Sequence, residues 1–518
     1  MHMDILKYIR MMLSKVYDAG LLNDIAIVAE AQIGLYSDEE CRQFVDDVRE
    51  CMGDYPAMSI YYRIFLDGLF VQVETDADNV VQALRHIVET TELSKEEKYF
   101  LIRQYDRIAF VRPEKWCEEA NRWIAKLYRQ VYEQYRKQLE KMMTPIPKEE
   151  RNPNRILVFT TQMLGERHAP THSTLERCYS LIKGLGKEVL LVNTKEVVTH
   201  LGNLPFYGGC QAYSVPEYSE LTRIQYKDCI IEFFQPEVEM PDEIVLETIL
   251  GMVREWKPWL VLGMGDYSIT ADLCSNIVPE AVLSFGFSTL PSTQGQMSIL
   301  GRRLKDGELE RLVAGGYRQD QIIESTFTFE LHEQTKTLSR EEVMLPSDKF
   351  LLITIGNRLE GDVSDEFIEQ MLKTKEWGTH LVLVGNMKNY ELKCEEHPGL
   401  KEFSTFLGYQ TDVLAVAECC DLYVNPKRLG GGFSIAECFQ VGKPGVTIDY
   451  GDVAAAAGPD FLVKDYAEML EVIKRYTEDK EFYQMQVAKG KQRLQVLLDG
   501  TAAMEQIMDK VENNLNFF

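Results

Sequence analysis

The chain has 518 residues, 45% of them apolar and 26% charged, with 81 acidic against 56 basic side chains and a formal net charge of -25. That length accommodates two or three domains with sizeable cores. The acidity argues against a broad nucleic-acid or anionic-membrane surface, but leaves room for a local basic pocket. Eleven cysteines without CxxC spacing point to free thiols in a reducing cytoplasm and to no zinc site. The N-terminal run lacks the apolar core of a signal peptide, and no apolar stretch is long enough to cross a bilayer.

In chain order, residues 1–145 read as all-helical. Ile5, Ile9, Met12, Leu13 and Val16 follow the helix period, as do segments at 80–88, 99–108 and 116–143. The expectation is a helical accessory domain that serves oligomerisation, pairing with another subunit, or acceptor binding. A proline-bearing linker at 144–154 precedes a change of composition. Buried-strand runs then alternate with helical stretches: strand 155–160, helix 175–185, strand 188–193, strand 229–234, helix 243–256, strand 259–262, strand 282–285. This pattern predicts an α/β domain over 155–340 with a mostly parallel sheet. It repeats from 350 onward and predicts a second such domain over 345–495. Residues 496–518 are read as a C-terminal helix crossing back to the first α/β domain.

The strongest chemical signal lies at 421–449, where strand, loop, helix and strand form one βαβ unit. The loop holds Lys427, Arg428 and three glycines, Gly430, Gly431 and Gly432. The helix begins at Phe433 and carries one acid, Glu437. Glycines let backbone N–H groups approach phosphate oxygens, and a helix N-terminus adds partial positive charge. The loop is neither a Walker loop nor GxGxxG. Glu437, amid apolar neighbours, is placed to accept both ribose hydroxyls of a nucleotide. Asn357 and Arg358 form the corresponding turn after the first strand of the second α/β domain, and a guanidinium there suits a diphosphate. Arg302 and Arg303 are weaker candidates of the same kind.

In the first α/β domain, His168 and His172 lie four apart in the loop after the first strand. Either can act as a general base or orient the reacting groups, and no third ligand at useful spacing makes them a metal site. Asp266 falls just past the strand at 259–262, at the carboxyl edge where α/β sites form. Ser292, Thr293 and Gln294 offer donors to an acceptor.

These residues resemble glycosyltransferases of the GT-B architecture, two facing Rossmann-like domains with the sugar-nucleotide in the second. The run ECFQVGKP at 437–444 is similar to that superfamily's E-x-x-x-x-G-x-P segment. Half of the retaining E-x7-E motif is missing, because Leu429 stands at its first position. The G-R-L-x-x-x-K motif is incomplete, with Asn357 and Val363 at its glycine and lysine positions. The histidine loop, with His168, Pro170 and His172, looks more like the O-GlcNAc-transferase-like group, whose bacterial members glycosylate proteins in the cytoplasm and can carry a helical N-terminal domain. The resemblance implies a uridine diphosphate sugar donor, no essential metal and no other cofactor. It also implies hexosyl or N-acetylhexosaminyl transfer to a protein or glycan acceptor. Two alternatives are a non-catalytic GT-B partner of a protein-glycosylating pair, which the missing acid and lysine would fit, and a GT-B sugar-nucleotide epimerase.

Overall fold

The computed structural model describes residues 2–74, 76–165, 168–197, 204–206, 214–286, 288–314 and 317–515. The helical stretch contains His2–Leu13, Ala19–Ile33, Asp38–Gly53, Ile60–Val73, Ala77–Glu89, Lys95–Val111 and Glu118–Gln138. Two of these helices begin in a capping box, Ser37 with Glu40 and Ser94 with Glu97, so orphan N–H groups are satisfied locally.

Fourteen strands follow among the described residues. They are β1 (Asn152–Thr160), β2 (Glu188–Asn193), β3 (Arg223–Tyr226), β4 (Cys229–Phe234), β5 (Pro258–Met264), β6 (Glu280–Leu283), β7 (Met297–Leu300), β8 (Ile322–Glu324), β9 (Phe350–Gly356), β10 (Thr379–Gly385), β11 (Ser404–Phe406), β12 (Leu422–Asn425), β13 (Gly445–Ile448) and β14 (Leu462–Val463).

The chain divides into two compact units. The first is Met1–Thr171, Glu188–Ala281 and Ser292–Gln296; the second is His172–Lys187, Val282–Pro291 and Met297–Phe518. In the first unit the strand order runs β3-β4-β2-β1-β5-β6. β1 pairs in parallel with β2 and β5, β2 pairs in parallel with β4, and the β3–β4 edge hairpin is antiparallel. The helical stretch does not close a core of its own. One apolar cluster runs from Ile5 and Phe65 through Tyr99 and Tyr128 to Leu157, Phe159, Leu246 and Val261. The helix Lys95–Val111 is therefore buried on most of its surface, a pattern that amphipathic periodicity alone would not announce.

In the second unit a six-stranded sheet has the order β11-β10-β9-β12-β13-β14, with every pair parallel. This is the doubly wound order, and its direction reverses between β9 and β12. The β7–β8 pair belongs to the same unit. The C-terminal helix Gly500–Leu515 packs on the Ser180–Gly184 turn and on β8. Phe329 N–H donates to Leu497 O in the chain leading to that helix. A mixed α/β fold with two parallel sheets and a helical N-terminal region is what the sequence pattern predicts. Among the described residues no helix is long and apolar enough to cross a membrane.

Candidate active site

His168 and Asp266 in the first unit, and Asn357, Arg358 and the 427–437 loop and helix in the second, lie where the strand order reverses, the position at which open α/β sheets bind ligands.

In the second unit the loops after β9 and β12 meet at this point. β12 is fully buried and delivers the chain to Pro426. Lys427 is exposed, its ammonium 5.5 Å from the centre of the Tyr450 ring, and its N–H donates to Tyr466 Oη at 3.0 Å. Gly431 has φ +99°, a conformation that favours glycine, and a Cβ there would lie 2.8 Å from the Arg428 guanidinium. Gly432 precedes the helix Phe433–Gln440 without a side-chain cap, so the first turn presents N–H groups that no side chain satisfies. The Phe433 ring packs edge-on against Phe329 at 4.5 Å. On the β9 side Asn357 is exposed and Arg358 half-buried at the start of the short helix Leu359–Asp362.

Arg428, the second of the two loop cations singled out in the sequence, is committed to protein acceptors. It is 5% exposed and lies beneath the loop. Its guanidinium donates to Asn425 Oδ1 at 2.8 Å, Ile355 O at 2.8 Å, Tyr423 Oη at 2.9 Å and Ser434 Oγ at 3.2 Å, and pairs with Asp362 at 3.1 Å. Its donors are spent on tying β9, β12 and the glycine loop together. Arg428→Met is accordingly expected to destabilise the protein by about 3–5 kcal/mol, since it leaves Asp362 and several acceptors without their donor. Arg428→Lys rescues little, because one ammonium cannot span the same acceptors. Urea unfolding of the two variants measures this. Arg302 is likewise committed, to Ser288 O and to Glu308 at 2.7 Å.

Glu437 lies one turn into the helix and is half-buried. Burial pushes its carboxyl up to about 7, and no hydrogen bond or ion pair among the described residues offsets that cost. A single acid, desolvated and uncompensated beside an uncapped helix start, is what a pair of ribose hydroxyls would satisfy.

His172 belongs to this unit. Its Nδ1 is 3.7 Å from Glu330, and its ring meets the His332 ring edge-on at 5.5 Å. The strap carrying Phe329, Glu330 and His332 also reaches the glycine-loop helix, through Phe329 on Phe433 and Gln440 Nε2 to His332 O at 3.0 Å. His172 is thus coupled to that helix through one short segment.

In the first unit His168 and Asp266 sit on the loops after β1 and β5, two adjacent parallel strands. Glu166 and Arg167 of the histidine loop lie outside the described residues. His168 Nδ1 is 2.8 Å from Thr171 Oγ1, which also accepts the Leu164 N–H at 2.8 Å, so Nε2 is the nitrogen left for a ligand. Burial lowers the imidazole to about 4, so it is neutral at ordinary pH. Asp266 Oδ1 accepts the Ser292 N–H at 2.7 Å. Thr293 Oγ1 and Gln294 N–H donate to buried Asp272, so the polar loop is held by two carboxylates.

Sequence reasoning missed the contribution of the helical stretch here. Arg103 donates to Asp266 O at 2.7 Å and stands 3.9 Å from Asp106, and Tyr99 Oη donates to Tyr267 O at 2.6 Å. Tyr267 itself has φ +55°. Burial, against the opposing pull of Arg103, lifts the Asp106 carboxyl to about 6, with the Asp266 charge adding to the rise. Still, 37% of the Asp106 side chain reaches solvent. A second acid therefore stands at the β5 loop, contributed by the helix Lys95–Val111. No motif marks it, because it lies over a hundred residues away in sequence.

One group with metal-ligand spacing occurs among the described residues: Asp365, Glu396 and His397. The Lys393 ammonium already neutralises it, 2.7 Å from Asp365 and 2.8 Å from Glu396.

A doubly wound second sheet, a parallel first sheet and switch-point loops in both define a GT-B-type fold. Residues 350–479 match the family model described as glycosyl transferases group 1. A mutant of the Thermobaculum terrenum O-GlcNAc transferase superposes with a TM-score of 0.56 at 13% identity, covering 99% of this chain and 98% of that one. A glycosyltransferase from Rickettsia africae gives 0.49 at 11% identity, over 70% of this chain and 99% of that one. Anabaena Alr3699/HepE, solved in complex with UDP, gives 0.48 at 14% identity, over 69% and 100%. No curated protein matches the chain in sequence. The chain has the GT-B fold, and its group 1 domain supports a glycosyl transfer function.

Proposed function

We propose that the protein transfers a sugar from a uridine diphosphate donor to a hydroxyl or amide of a protein or glycan acceptor, without a catalytic metal. The observation that carries this reading is Glu437, a desolvated, uncompensated carboxyl one turn into an uncapped helix that opens on three glycines. The ribose hydroxyls donate to Glu437. The diphosphate takes the N–H groups of Gly430–Phe433, with Lys427, Asn357 and Arg358 at the rim. As the glycosidic bond breaks, negative charge grows on the departing diphosphate, and these fixed donors stabilise it without reorganising. His172 steadies the same helix through the Phe329–His332 strap.

The acceptor is bound at the β1 and β5 loops of the first sheet. Neutral His168 orients it through Nε2, and the Asp106–Asp266 pair receives the acceptor proton.

The test is release of uridine diphosphate from a panel of sugar-nucleotides, with and without peptide and glycan acceptors, by the intact chain. Turnover of at least one uridine diphosphate sugar is expected. Acceptor-free interconversion of the sugar would point to an epimerase, and binding without turnover to a non-catalytic partner.

A further inference from the structure

We propose that the helical stretch holds a second binding site, for a phosphate monoester. The helices Asp38–Gly53, Ile60–Val73 and Ala77–Glu89 enclose a pocket of about 380 Å³. That volume lies within the range of small-molecule sites. Met52, Pro56 and Phe70 form apolar walls. Polar groups converge on it from all three helices, among them Arg49, Arg63, Asp67 and His86.

Two features separate this pocket from an ordinary gap between helices. The first is an Asp–His pair. Asp67 is 6% exposed and lies 2.7 Å from His86 Nδ1. A buried carboxylate there holds the proton on Nδ1, and Nε2 is the nitrogen left for a ligand. The second is Arg63, half-buried and without a hydrogen bond or ion pair from its guanidinium among the described residues. This stands out in a chain where acids outnumber bases 81 to 56. Arg49, on the same lining, shows the usual arrangement: it is answered by Asn79 at 2.8 Å and Glu74 at 3.2 Å, and lies over Phe70. A guanidinium in a pocket wall with no protein acceptor keeps its donors available to an anionic ligand.

The chemistry of the pair selects phosphate. A singly protonated phosphate offers anionic oxygens to the Arg63 fork and an O–H to His86 Nε2. A sulfonate of the same shape has no proton to give Nε2. The apolar walls take the ester's organic body, so an ester binds better than inorganic phosphate.

Calorimetric titration of the full chain with phenyl phosphate, inorganic phosphate and benzenesulfonate tests this. Phenyl phosphate is expected to bind at least tenfold more tightly than benzenesulfonate and more tightly than inorganic phosphate. Arg63→Gln and His86→Gln are each expected to weaken phenyl phosphate at least tenfold while binding a uridine diphosphate sugar as wild type does. An unchanged far-UV circular dichroism spectrum and unfolding midpoint certify that the variants are folded. No heat from either phosphate, equal binding of the sulfonate, or undiminished binding by Arg63→Gln would overturn the proposal.

Discussion

Glu437→Gln should lose nucleotide affinity and gain stability in the same molecule. Two hydrogen bonds from ribose hydroxyls to a carboxylate are worth roughly 2–3 kcal/mol together beyond what an amide retains, so affinity for a uridine diphosphate sugar falls about 30- to 100-fold. The stability change has the opposite sign. In the folded chain the carboxyl is lifted to about 7 from an ordinary value of 4.5. The folded state therefore holds a proton that the unfolded state has released, and stability falls as pH rises from about 4.5 to 7. Above pH 7 the ionised, uncompensated acid costs about 1–2 kcal/mol after allowing for its partial exposure. The glutamine variant is then the more stable protein at pH 8, and the difference closes below pH 4.5. Binding reverses the preference, because ribose hydroxyls favour the carboxylate. Wild-type affinity should strengthen between pH 6 and 8, and calorimetry in buffers of different ionisation enthalpy should register a released proton. A sugar-nucleotide has no group of its own titrating there. A variant that binds the nucleotide as tightly as wild type would remove Glu437 from the site.

The second large effect concerns the helical stretch. If the Asp106–Asp266 pair takes the acceptor proton, the transfer rate rises with pH through about 6, as Asp106 ionises. His168 does not set this limb, because burial holds it near 4. Asp106→Asn is expected to lower kcat about 100- to 1000-fold and to abolish the limb near pH 6, with sugar-nucleotide affinity unchanged. A purely structural role for Asp106 would lower the amount of folded protein but leave the limb in place. Arg103→Met probes positioning. It removes the donor to Asp266 O and the cation beside Asp106, so the apparent value of the limb moves upward as the pair loses its neighbouring positive charge.

Much of this was legible in the chain as written. Strand and helix periods locate both α/β halves, because a buried parallel strand is a continuous apolar run and its covering helix is not. The glycine loop and Glu437 stand out for a local reason. Three glycines and one acid within eight residues are costly to place in an apolar βα turn unless something binds there.

The same stretch also shows where local reading stops. Arg428 and Lys427 are neighbours in sequence and look equivalent. Only the packing of β9 against β12 puts the Arg428 guanidinium under the loop, among Ile355, Asp362 and Ser434, and leaves Lys427 in solvent. Asp106 and Arg103 are a second case. On a helix they read as a surface acid and base three apart. They become part of the β5 loop because the helical stretch shares its core with the first sheet. Arg63 and His86 are a third, meeting only where three helices enclose a pocket. The sequence by itself determined the order of elements and the one loop whose chemistry is carried by consecutive residues. Tertiary structure decided which charges are struts and which are free, because burial and partnership depend on residues distant in the chain.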